Sequence, residues 1–412
     1  MPSRRSHHKS RRGCLTCKQR RVKCDEKGPP CGSCRLRATT CEYASPVSSL
    51  HASPRNGSSA PVSDVPGDAH VDEPAFPEET RLLELQLMNR WSTVTYKSCC
   101  TKVAEDDHVW RRKVPEMSLQ HDFLLNGIFA LSAFEIASSS ERDRARYLSA
   151  AVEYEALALL SFRPQLQEIT QDSFDAVFCF SLGLMVLALA SAQFTSESTR
   201  GGTNTMVQHT ITHFELLRGC TTVMASKANF IAESPYIQKL KRFEDLPREA
   251  LDSRTELALA RLNEANENRM KSGIGEAYEH RVTNMVYREA CKRALSVLQE
   301  CFAKCVDIDY QGYALGWLNL SGNDFIEAIK AHDGIALLIL MYWGVLVQKL
   351  GYQVWWARDF GSRLVEDIAH ELLDGDTDAL TKQIVSSARE HIHAVVNDEV
   401  RSQSDTVFGP EA

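Results

Sequence analysis

Apolar residues recur every three or four positions over most of the chain that follows residue 80. Positions at this spacing fall on one face of an α-helix, so the pattern predicts amphipathic helices that pack through their apolar faces. The predicted helical segments are 82–91, 123–134, 141–163, 176–196, 211–224, 248–264, 285–305, 324–350 and 363–373. No run alternates apolar and polar residues as a half-exposed β-strand does. The predicted fold is therefore mainly α, with an all-α domain over residues 81–412.

Local signals predict where several of these helices begin and end. Ser118 is the predicted N-cap of the second helix, and Thr170 precedes the long apolar segment. Pro164 is expected to end the helix before it, because proline lacks the backbone N–H that continues the helical hydrogen bonds. Gly334 marks a predicted break within the longest segment.

The apolar segment 176–196 needs a separate interpretation, because it contains no charged side chain. Its length reaches the roughly 20 residues that a bilayer-spanning helix requires. Its densely apolar part ends near Ala192, however, and the Lys/Arg-rich flank that marks the cytoplasmic side of a membrane span is missing. A buried core helix is the preferred interpretation, and a membrane-tethered protein is the alternative.

The chain before residue 81 consists of a basic segment, residues 1–44, and a segment without periodicity, residues 45–80. Residues 1–44 contain 12 Lys/Arg and 3 Asp/Glu, a net charge of +9, whereas the remainder contains 35 and 51, a net charge of −16. The basic segment is therefore the predicted polyanion-binding part. Residues 45–80 are rich in Pro, Ser, Ala and Asp, which predicts a flexible linker. No heptad pattern follows the basic segment, so an adjacent coiled coil is not expected.

Six of the 13 cysteines lie in the basic segment, in two runs of the form C-x2-C-x6-C offset by 17 residues. The first 13 residues lack the apolar core of a secretory signal peptide, so metal-binding thiols are expected rather than disulfides. Zinc prefers four tetrahedral ligands. Six thiolates can serve two zinc ions only if two of them bridge both metals, and the repeat suggests a bridging pair at equivalent positions. The predicted cofactor is two Zn²⁺ per chain, held by Cys14, Cys17, Cys24, Cys31, Cys34 and Cys41.

Residues 11–43, RRGCLTCKQRRVKCDEKGPPCGSCRLRATTCEY, resemble the fungal binuclear zinc-cluster (Zn2Cys6) DNA-binding domain. All six cysteines match the spacing of that family, and Pro29 lies where the family has a proline in its central loop. The resemblance implies that Cys14 and Cys31 bridge the two ions. It also implies that the remaining ligands form two pairs, Cys17 with Cys24 and Cys34 with Cys41. This basic module is predicted to span residues 1–44.

The same resemblance places the first short helix of the module in the DNA major groove, commonly over a CGG triplet. The predicted DNA-binding residues are Lys18, Arg20, Arg21 and Lys23. Arg21 matches the main base-reading position of the family, and a guanidinium can bond guanine O6 and N7 together. Lys18, Lys23 and the arm 4–12 are expected to contact phosphate, and the arm is also expected to serve nuclear import. The second half of the module carries only Arg35 and Arg37 and is assigned a supporting role.

Residues 80–375 contain segments, such as HDFLLNGIFALSAFEIA and WWARDFGSRLVEDIAHEL, whose order is similar to the carboxy-terminal regulatory domain of the fungal sterol-uptake-control regulators. In that group the domain is an all-α bundle implicated in dimerisation and, in some members, in sterol sensing. The resemblance implies a regulatory and dimerisation domain over residues 81–412. A homodimer and an apolar small-molecule ligand are therefore candidate partners.

Four other residue pairs could carry chemistry. They are His209 with His213, Cys99 with Cys100, Cys301 with Cys305, and Trp355 with Trp356. No third ligand or HExxH motif accompanies the histidines, so they are expected to be solvated or core residues. The four cysteines are expected to be buried small apolar residues. The tryptophans are expected to anchor helix packing, with a ligand-pocket wall as the alternative.

The predicted function is a sequence-specific DNA-binding regulator of RNA polymerase II transcription, located in the nucleus, that controls a metabolic or secondary-metabolite gene set. Its predicted partners are double-stranded DNA with CGG-type half-sites and the transcription machinery, and no membrane is expected. The alternative is a regulator that senses a sterol or another apolar ligand. A protein-interaction module with a solvated basic face is the other interpretation of the cysteine segment. No enzyme is predicted, because the sequence contains no recognisable catalytic constellation.

Overall fold

The computed structural model describes residues 14–20, 22, 24, 31–35, 37, 40–41, 78–194, 205–225, 227–272, 278–375 and 377–407. The chain divides into two compact units, Met1–Asp72 and Glu73–Ala412. We call the first the cysteine module and the second the helical body. The described residues form helices and turns and contain no β-strand. The mainly α fold predicted from the sequence is therefore confirmed.

The cysteine module contains two short helices, α1 (Leu15–Gln19) and α2 (Gly32–Arg35). The described helices of the helical body are α3 (Glu78–Thr93), α4 (Val114–Ser118), α5 (Asp122–Ser139), α6 (Arg144–Gln165), α7 (Gln171–Ala192), α8 (Met206–Ala225), α9 (Ala228–Glu233), α10 (Pro235–Leu240), α11 (Ser253–Ser272), α12 (Tyr278–Lys304), α13 (Trp317–Leu320), α14 (Asn323–Lys330), α15 (Gly334–Leu350), α16 (Phe360–Leu373) and α17 (Ala379–Val407). Short 3₁₀ or π-helical turns lie at Thr95–Cys99, Val109–Lys113, Lys241–Phe243, Ile308–Gly316 and Trp355–Ala357.

Helices α5, α7 and α15 form the centre of the helical body, because each is apolar on nearly all sides. A helix without a polar face is stable in water only when other helices cover it. α5 packs along α3, α6 and α7, while α15 packs against α11, α12, α16 and α17. Their buried side chains belong to one continuous apolar core.

Helix α7 is long and apolar enough to cross a membrane, but 83% of its most apolar window is buried inside the helical body. Thr170 and Ser173 form a capping box at its start, in which the Thr170 hydroxyl accepts a hydrogen bond from the Ser173 backbone N–H at 3.3 Å. The Ser173 hydroxyl accepts a bond from the Thr170 N–H at 3.1 Å in return. α7 is thus a core helix that begins after Thr170, as predicted.

The predicted break near Gly334 separates α14 from α15, which are bent relative to each other by 108°. His332 within the break has a φ of 54°, a left-handed conformation that residues other than glycine seldom adopt. Asp333 caps α15 by accepting a hydrogen bond from the Ala336 N–H at 2.9 Å. Its carboxylate also pairs with Arg269 of α11 at 2.5 and 2.6 Å. Asp333 therefore both starts α15 and links it to α11.

Helices α15 and α16 cross where Gly344 faces Gly361. A Cβ atom at Gly361 would overlap the carbonyl oxygen of Gly344 and lie 2.6 Å from the backbone nitrogen of Gln348. The buried Gln348 side chain satisfies polar groups at the same crossing. It accepts a hydrogen bond from the Ser362 N–H at 2.8 Å and donates one to the Arg358 carbonyl at 3.0 Å. Glycine at position 361 is therefore required for this backbone-to-backbone contact.

All six tryptophans of the chain lie in the helical body, and each indole N–H donates a hydrogen bond at 2.9–3.1 Å. Trp355 donates to the Ser98 hydroxyl and Trp356 to the Ser98 carbonyl. This pair holds the turn after α3 against the connection between α15 and α16. The prediction that Trp355 and Trp356 anchor helix packing is confirmed.

The predicted N-cap at Ser118 is wrong. Ser118 is the last residue of α4, and its hydroxyl donates to the Pro115 carbonyl at 2.7 Å. Pro115 starts this separate short helix because its fixed φ suits a first helical turn, and α5 begins only after His121. Pro164 was expected to end the helix before it. α6 ends at Gln165, one residue after Pro164, so this prediction is nearly correct.

The sequence pattern did not predict α17, or the short helices α4, α9, α10 and α13. Leu380, Ile384, Ala388 and Ile392 lie four residues apart in α17, and the last three are buried. The helical pattern of apolar residues in α17 stops after this part, because the following stretch, NDEVRSQSD, is almost entirely polar. A long helix with only half of its length apolar on one face has a low mean apolarity.

Candidate metal centre and nucleic-acid interface

Each half of the cysteine module begins with a cysteine that is followed by a short helix. Cys14 is the N-cap of α1, and its Sγ accepts a hydrogen bond from the Cys17 backbone N–H at 3.4 Å. Cys31 precedes α2, and its carbonyl oxygen accepts a bond from the Cys34 N–H at 3.0 Å. The sequence repeat therefore corresponds to two helical turns, each of which presents a pair of thiols three residues apart.

The module brings six sulfur atoms together in two overlapping groups. Within each group, four Sγ atoms all lie within 4.8 Å of one another. The groups are Cys14, Cys17, Cys24 and Cys31, and Cys14, Cys31, Cys34 and Cys41. Cys41 is half-buried, and the other five are buried. Among the described residues of the module, six thiols thus provide two sets of four ligands with two members in common.

The distances between these sulfur atoms fit tetrahedral zinc coordination. A Zn–S bond of about 2.3 Å places two ligands of a tetrahedral site about 3.8 Å apart. The Sγ of Cys14 lies 3.8 Å from that of Cys31 and 3.7 Å from that of Cys34. The Sγ of Cys17 lies 3.6 Å from that of Cys31, and 3.9 Å from that of Cys34 in the other group. The six sulfurs therefore form one compact cluster that suits a binuclear centre.

The local environment distinguishes the two shared cysteines from Cys17 and Cys41. Burial acts to raise the pKa of Cys14, but hydrogen bonds from the Cys17 backbone and neighbouring thiols outweigh it and lower the pKa. Cys31 also has a lowered pKa, with the Cys34 backbone as a donor against the effect of burial. Burial and hydrogen bonds to Cys14, Cys31 and Cys34 raise the pKa of Cys17. The Cys31 N–H lowers the pKa of Cys41, yet burial and the neighbouring thiols raise it to about 12.

Cationic side chains occur on both halves of the module. Lys18 of α1 is exposed, as are Arg35 and Arg37 of the second half. Arg20 is half-buried, and its buried Nη1 atom has no hydrogen-bond partner among the described residues. Lys18 is therefore the predicted DNA-binding residue that α1 presents most openly to solvent.

Two of the predicted DNA-binding residues, Arg21 and Lys23, lie outside the described residues, as does the arm 4–12. Their predicted roles therefore stay predictions. The described position nearest to both is Val22, whose backbone N–H donates to the Cys17 carbonyl at 3.1 Å. This bond holds the chain close to α1 immediately after the helix ends.

Two contacts that the cysteine spacing did not indicate also join parts of the module. The Thr16 hydroxyl donates to the Thr40 carbonyl at 2.7 Å, and the Cys31 backbone N–H donates to Cys41 Sγ at 3.2 Å. They tie α1 and the start of α2 to the segment around Cys41. Threonine hydroxyls and backbone amides have no distinctive sequence signal, so these positions could not be singled out in advance.

The remaining predicted pairs lie in the helical body. Cys99, Cys301 and Cys305 are buried as expected, and burial raises the pKa of all three. Cys100 is only half-buried, and its thiol donates to the Tyr96 carbonyl at 3.3 Å. His209 is half-buried with a pKa lowered by burial, while the side chain of His213 lies outside the described residues.

Two family models match the chain. Residues 12–49 match the fungal Zn(2)-Cys(6) binuclear cluster domain, and residues 91–243 match the fungal specific transcription factor domain. The first match contains all six cysteines of the cluster. The second begins near the end of α3 and ends in the turn after α10.

Individual relatives match over different parts of the chain. A Zn(2)-C6 fungal-type transcription factor of Gibberella zeae is 25% identical over 89% of this chain and 82% of its own length. The factor afumD of Aspergillus fumigatus is 29% identical over 46% of this chain and 49% of its own length. Sterol uptake control protein 2 of Candida albicans is 58% identical over 10% of this chain and 6% of its own length. This last match covers the cysteine module, so the similarity of residues 80–375 to the sterol regulators stays a prediction.

Proposed function

Because the chain is a DNA-binding transcription regulator of the fungal Zn(2)-C6 type, we propose that its six cysteines bind two zinc ions, with Cys14 and Cys31 bonded to both. The terminal ligands are then Cys17 and Cys24 on one ion, and Cys34 and Cys41 on the other. One observation carries this assignment. The two groups of four neighbouring sulfur atoms have Cys14 and Cys31 in common and share no other member.

The zinc ions have a structural role in this proposal. When bound, they cross-link the two halves of a segment that has too few apolar residues to fold alone. Six thiolates and two Zn²⁺ leave a charge of −2, which lies within a segment of net charge +9. The surrounding cations therefore compensate the cluster and leave an excess of positive charge for a polyanion.

The DNA contacts follow from the position of α1. The zinc-held module places α1 and the cations after it in the major groove, where Arg21 bonds a guanine base edge and Arg20 lies beside it. Lys18 and Lys23 contact phosphate, and so does the basic arm 4–12. The exposure of Lys18 and the hydrogen bond that holds Val22 near α1 support this arrangement.

In the proposed function, each part of the chain has a separate role. Residues 1–44 read CGG-type half-sites, residues 45–80 are a flexible linker, and residues 81–412 regulate, dimerise and contact the transcription machinery. The protein acts in the nucleus on RNA polymerase II genes of a metabolic or secondary-metabolite set. The basic head on an acidic body and the family matches of both parts support this division.

The test uses the full-length protein, with zinc measured by elemental analysis and DNA binding by fluorescence anisotropy. Wild type is expected to hold about two zinc ions per chain and to prefer a duplex with CGG triplets over a scrambled duplex. Cys14→Ser should lose both ions and the binding, because this thiolate serves both metals. Cys100→Ser removes a half-buried thiol of the helical body and should change neither quantity. Wild-type zinc content in Cys14→Ser would refute the bridging assignment.

Arg21→Ala tests the reading of bases in the same assay. It should weaken binding to the CGG duplex by about 1–3 kcal/mol and binding to the scrambled duplex by less. Lys23→Ala is the matched control, which should weaken both complexes equally because a phosphate contact carries no sequence information. Equal losses for Arg21→Ala on the two duplexes would show that Arg21 contacts phosphate only.

The alternative function, a sensor of sterols or other apolar ligands, ranks second. A cavity in the helical body is lined by Asp106, Trp110, Cys179 and Tyr236 among others, and its volume is about 20 Å³. Such a cavity has room for about one water molecule, whereas ligand pockets usually measure roughly 300–1,000 Å³. If a member of a sterol panel raised the melting temperature of the full-length protein, ligand sensing would become the favoured function of the helical body.

A further inference from the structure

The first helix of the cysteine module is too short to fix its own orientation. α1 has only 5 residues, and isolated helices below roughly 12 residues are marginal in water. Cys14 at its start and Cys17 within it belong to the sulfur cluster, so their side chains attach α1 to the rest of the module. A rigid body held at two points can still rotate about the line through them. α1 therefore needs a third attachment.

Thr16 supplies this third attachment on another face of α1. Its hydroxyl donates to the Thr40 carbonyl at 2.7 Å, although the two residues are 24 positions apart. Thr16 lies roughly 100° around the helix axis from Cys17, because an α-helix has about 3.6 residues per turn. The bond therefore acts away from the line through the two sulfur attachments and opposes rotation of α1 about that line.

The acceptor of this bond belongs to the second half of the module. Thr40 directly precedes Cys41, whose Sγ accepts a hydrogen bond from the Cys31 backbone N–H at 3.2 Å. Cys31 and Cys41 are both members of the second group of sulfur atoms. The Thr16 hydroxyl thus links α1 to the second half through protein atoms, in addition to the link through the sulfur cluster.

We propose that Thr16 is a positioning residue for DNA recognition, which fixes the rotation of α1 through its bond to Thr40. An α-helix with its side chains has a radius of about 5–6 Å, so a rotation by roughly 20° moves a side-chain tip by about 2 Å. A hydrogen bond tolerates a change of only a few tenths of an ångström in its length. Loss of the Thr16 bond should therefore weaken contacts to base edges more than the adaptable contacts to phosphate.

The cations of α1 depend on this rotation for their positions. Lys18 is exposed, and the Arg20 backbone N–H donates to the Thr16 carbonyl at 3.1 Å, so Arg20 follows any movement of Thr16. Arg21 is the next residue in the sequence. The inference rests on the proposed function, in which these cations enter the major groove. It gives the second half of the module a role in base reading that requires no DNA contact of its own.

The test compares Thr16→Val with Thr16→Ser in the full-length, zinc-loaded protein. Valine is β-branched like threonine and has a similar helix propensity but lacks the hydroxyl, whereas serine keeps it. Loss of one neutral hydrogen bond corresponds to roughly a three- to tenfold change in an equilibrium constant. Thr16→Val should bind a CGG duplex more weakly by this factor in fluorescence anisotropy and a scrambled duplex within about twofold of wild type. Thr16→Ser should bind both duplexes as wild type does.

Zinc content separates a positioning role from a role in metal binding. Elemental analysis should give about two zinc ions per chain in wild type and both variants, because Thr16 is not among the proposed ligands. Zinc loss in Thr16→Val would overturn the inference, since the bond would then hold the metal sites together. Wild-type binding of the CGG duplex by Thr16→Val overturns it as well. So does binding by Thr16→Ser that is as weak as that of Thr16→Val.

Amide hydrogen exchange without DNA keeps this inference separate from the proposed function. The amides of residues 15–20 should exchange faster in Thr16→Val than in wild type and Thr16→Ser, because α1 opens more readily when one attachment is missing. Equal exchange in all three proteins contradicts the inference. If wild type shows no preference for the CGG duplex, the proposed function is wrong, while the exchange rates still decide whether Thr16 holds α1 in place.

Discussion

The cysteine module and the helical body are stabilised by different interactions. Among the described residues of the module, the buried cluster consists of cysteines alone. The body has a continuous apolar core, in which the ring of Trp343 lies 5.8 Å from that of Trp317 and 5.9 Å from that of Phe360. The module therefore depends on the identity of a few metal ligands, whereas the body depends on the summed packing of many side chains.

This difference determines how each region responds to substitution. No residue other than cysteine supplies the same thiolate geometry, so the loss of one shared ligand affects both metal sites. In the body, apolar residues of similar volume can often replace each other with modest losses of stability. The two regions should consequently unfold under different conditions and can be disrupted one at a time.

Removal of zinc should have the largest effect and should be confined to the cysteine module. Structural zinc contributes on the order of 10 kcal/mol to the folding of small zinc-bound modules. Among the described residues of this module, the buried cluster that would have to replace it consists of cysteines alone. Excess chelator is expected to abolish DNA binding. Tryptophan fluorescence arises only in the body, so its unfolding midpoint in urea should not change. A chelator-induced shift of that midpoint would show that the body also depends on metal.

Trp343→Ala should have the next largest effect, in the opposite region. Trp343 is fully buried, and its indole N–H donates to the Ala314 carbonyl at 2.9 Å. Its truncation leaves a cavity and should lower the free energy of unfolding of the body by about 3–5 kcal/mol. Urea denaturation followed by circular dichroism measures this loss. The exposed Leu320 provides a control, because Leu320→Ala should cost less than about 0.5 kcal/mol. Zinc content should remain that of wild type in both variants, and its loss in Trp343→Ala would contradict the independence of the two regions.

Lowering the pH should have a smaller effect on the stability of the body, because it protonates the buried side chain of His391. Its ring nitrogens have no hydrogen-bond partner among the described residues, and its ring packs edge-on against Tyr342 at 5.9 Å. Burial and the positive charges of Arg254 and Lys349 lower its pKa from 6.5 to about 4, although Asp252 acts in the opposite direction. The unfolded chain therefore takes up a proton near pH 6.5, whereas the folded chain does so only near pH 4.

The stability associated with neutral His391 is present above pH 6.5 and is lost as the pH falls from 6.5 to about 4. The free energy of unfolding of the body should decrease by about 3 kcal/mol across this range. His391→Gln should remove most of this pH dependence in urea denaturation followed by tryptophan fluorescence. His370→Gln changes an exposed histidine of α16 and should leave it intact. An unchanged pH profile in His391→Gln would exclude His391 as the responsible group.

Prediction from the sequence succeeded where the signal is local. The helical period located most of the long helices, and Thr170 and Gly334 marked a start and a break, because capping and helix-breaking depend on neighbouring residues. Ser118 was misinterpreted because Pro115 begins a separate short helix just before it. α17 was missed because its apolar face covers only the first part of its length. The six cysteines could be chosen as ligands from their spacing, but Arg21 could be assigned only by resemblance.

The sequence by itself determined the helical character of the body, the basic charge of residues 1–44, the acidic charge of the remainder, and the choice of the six cysteines as candidate metal ligands. These depend on spacing and composition, which are properties of short stretches of chain. Only the tertiary structure decided that two sulfur groups overlap at Cys14 and Cys31, that Gly361 meets Gly344, and that His391 is buried. Each of these depends on the distance between residues far apart in the chain, which no local pattern encodes.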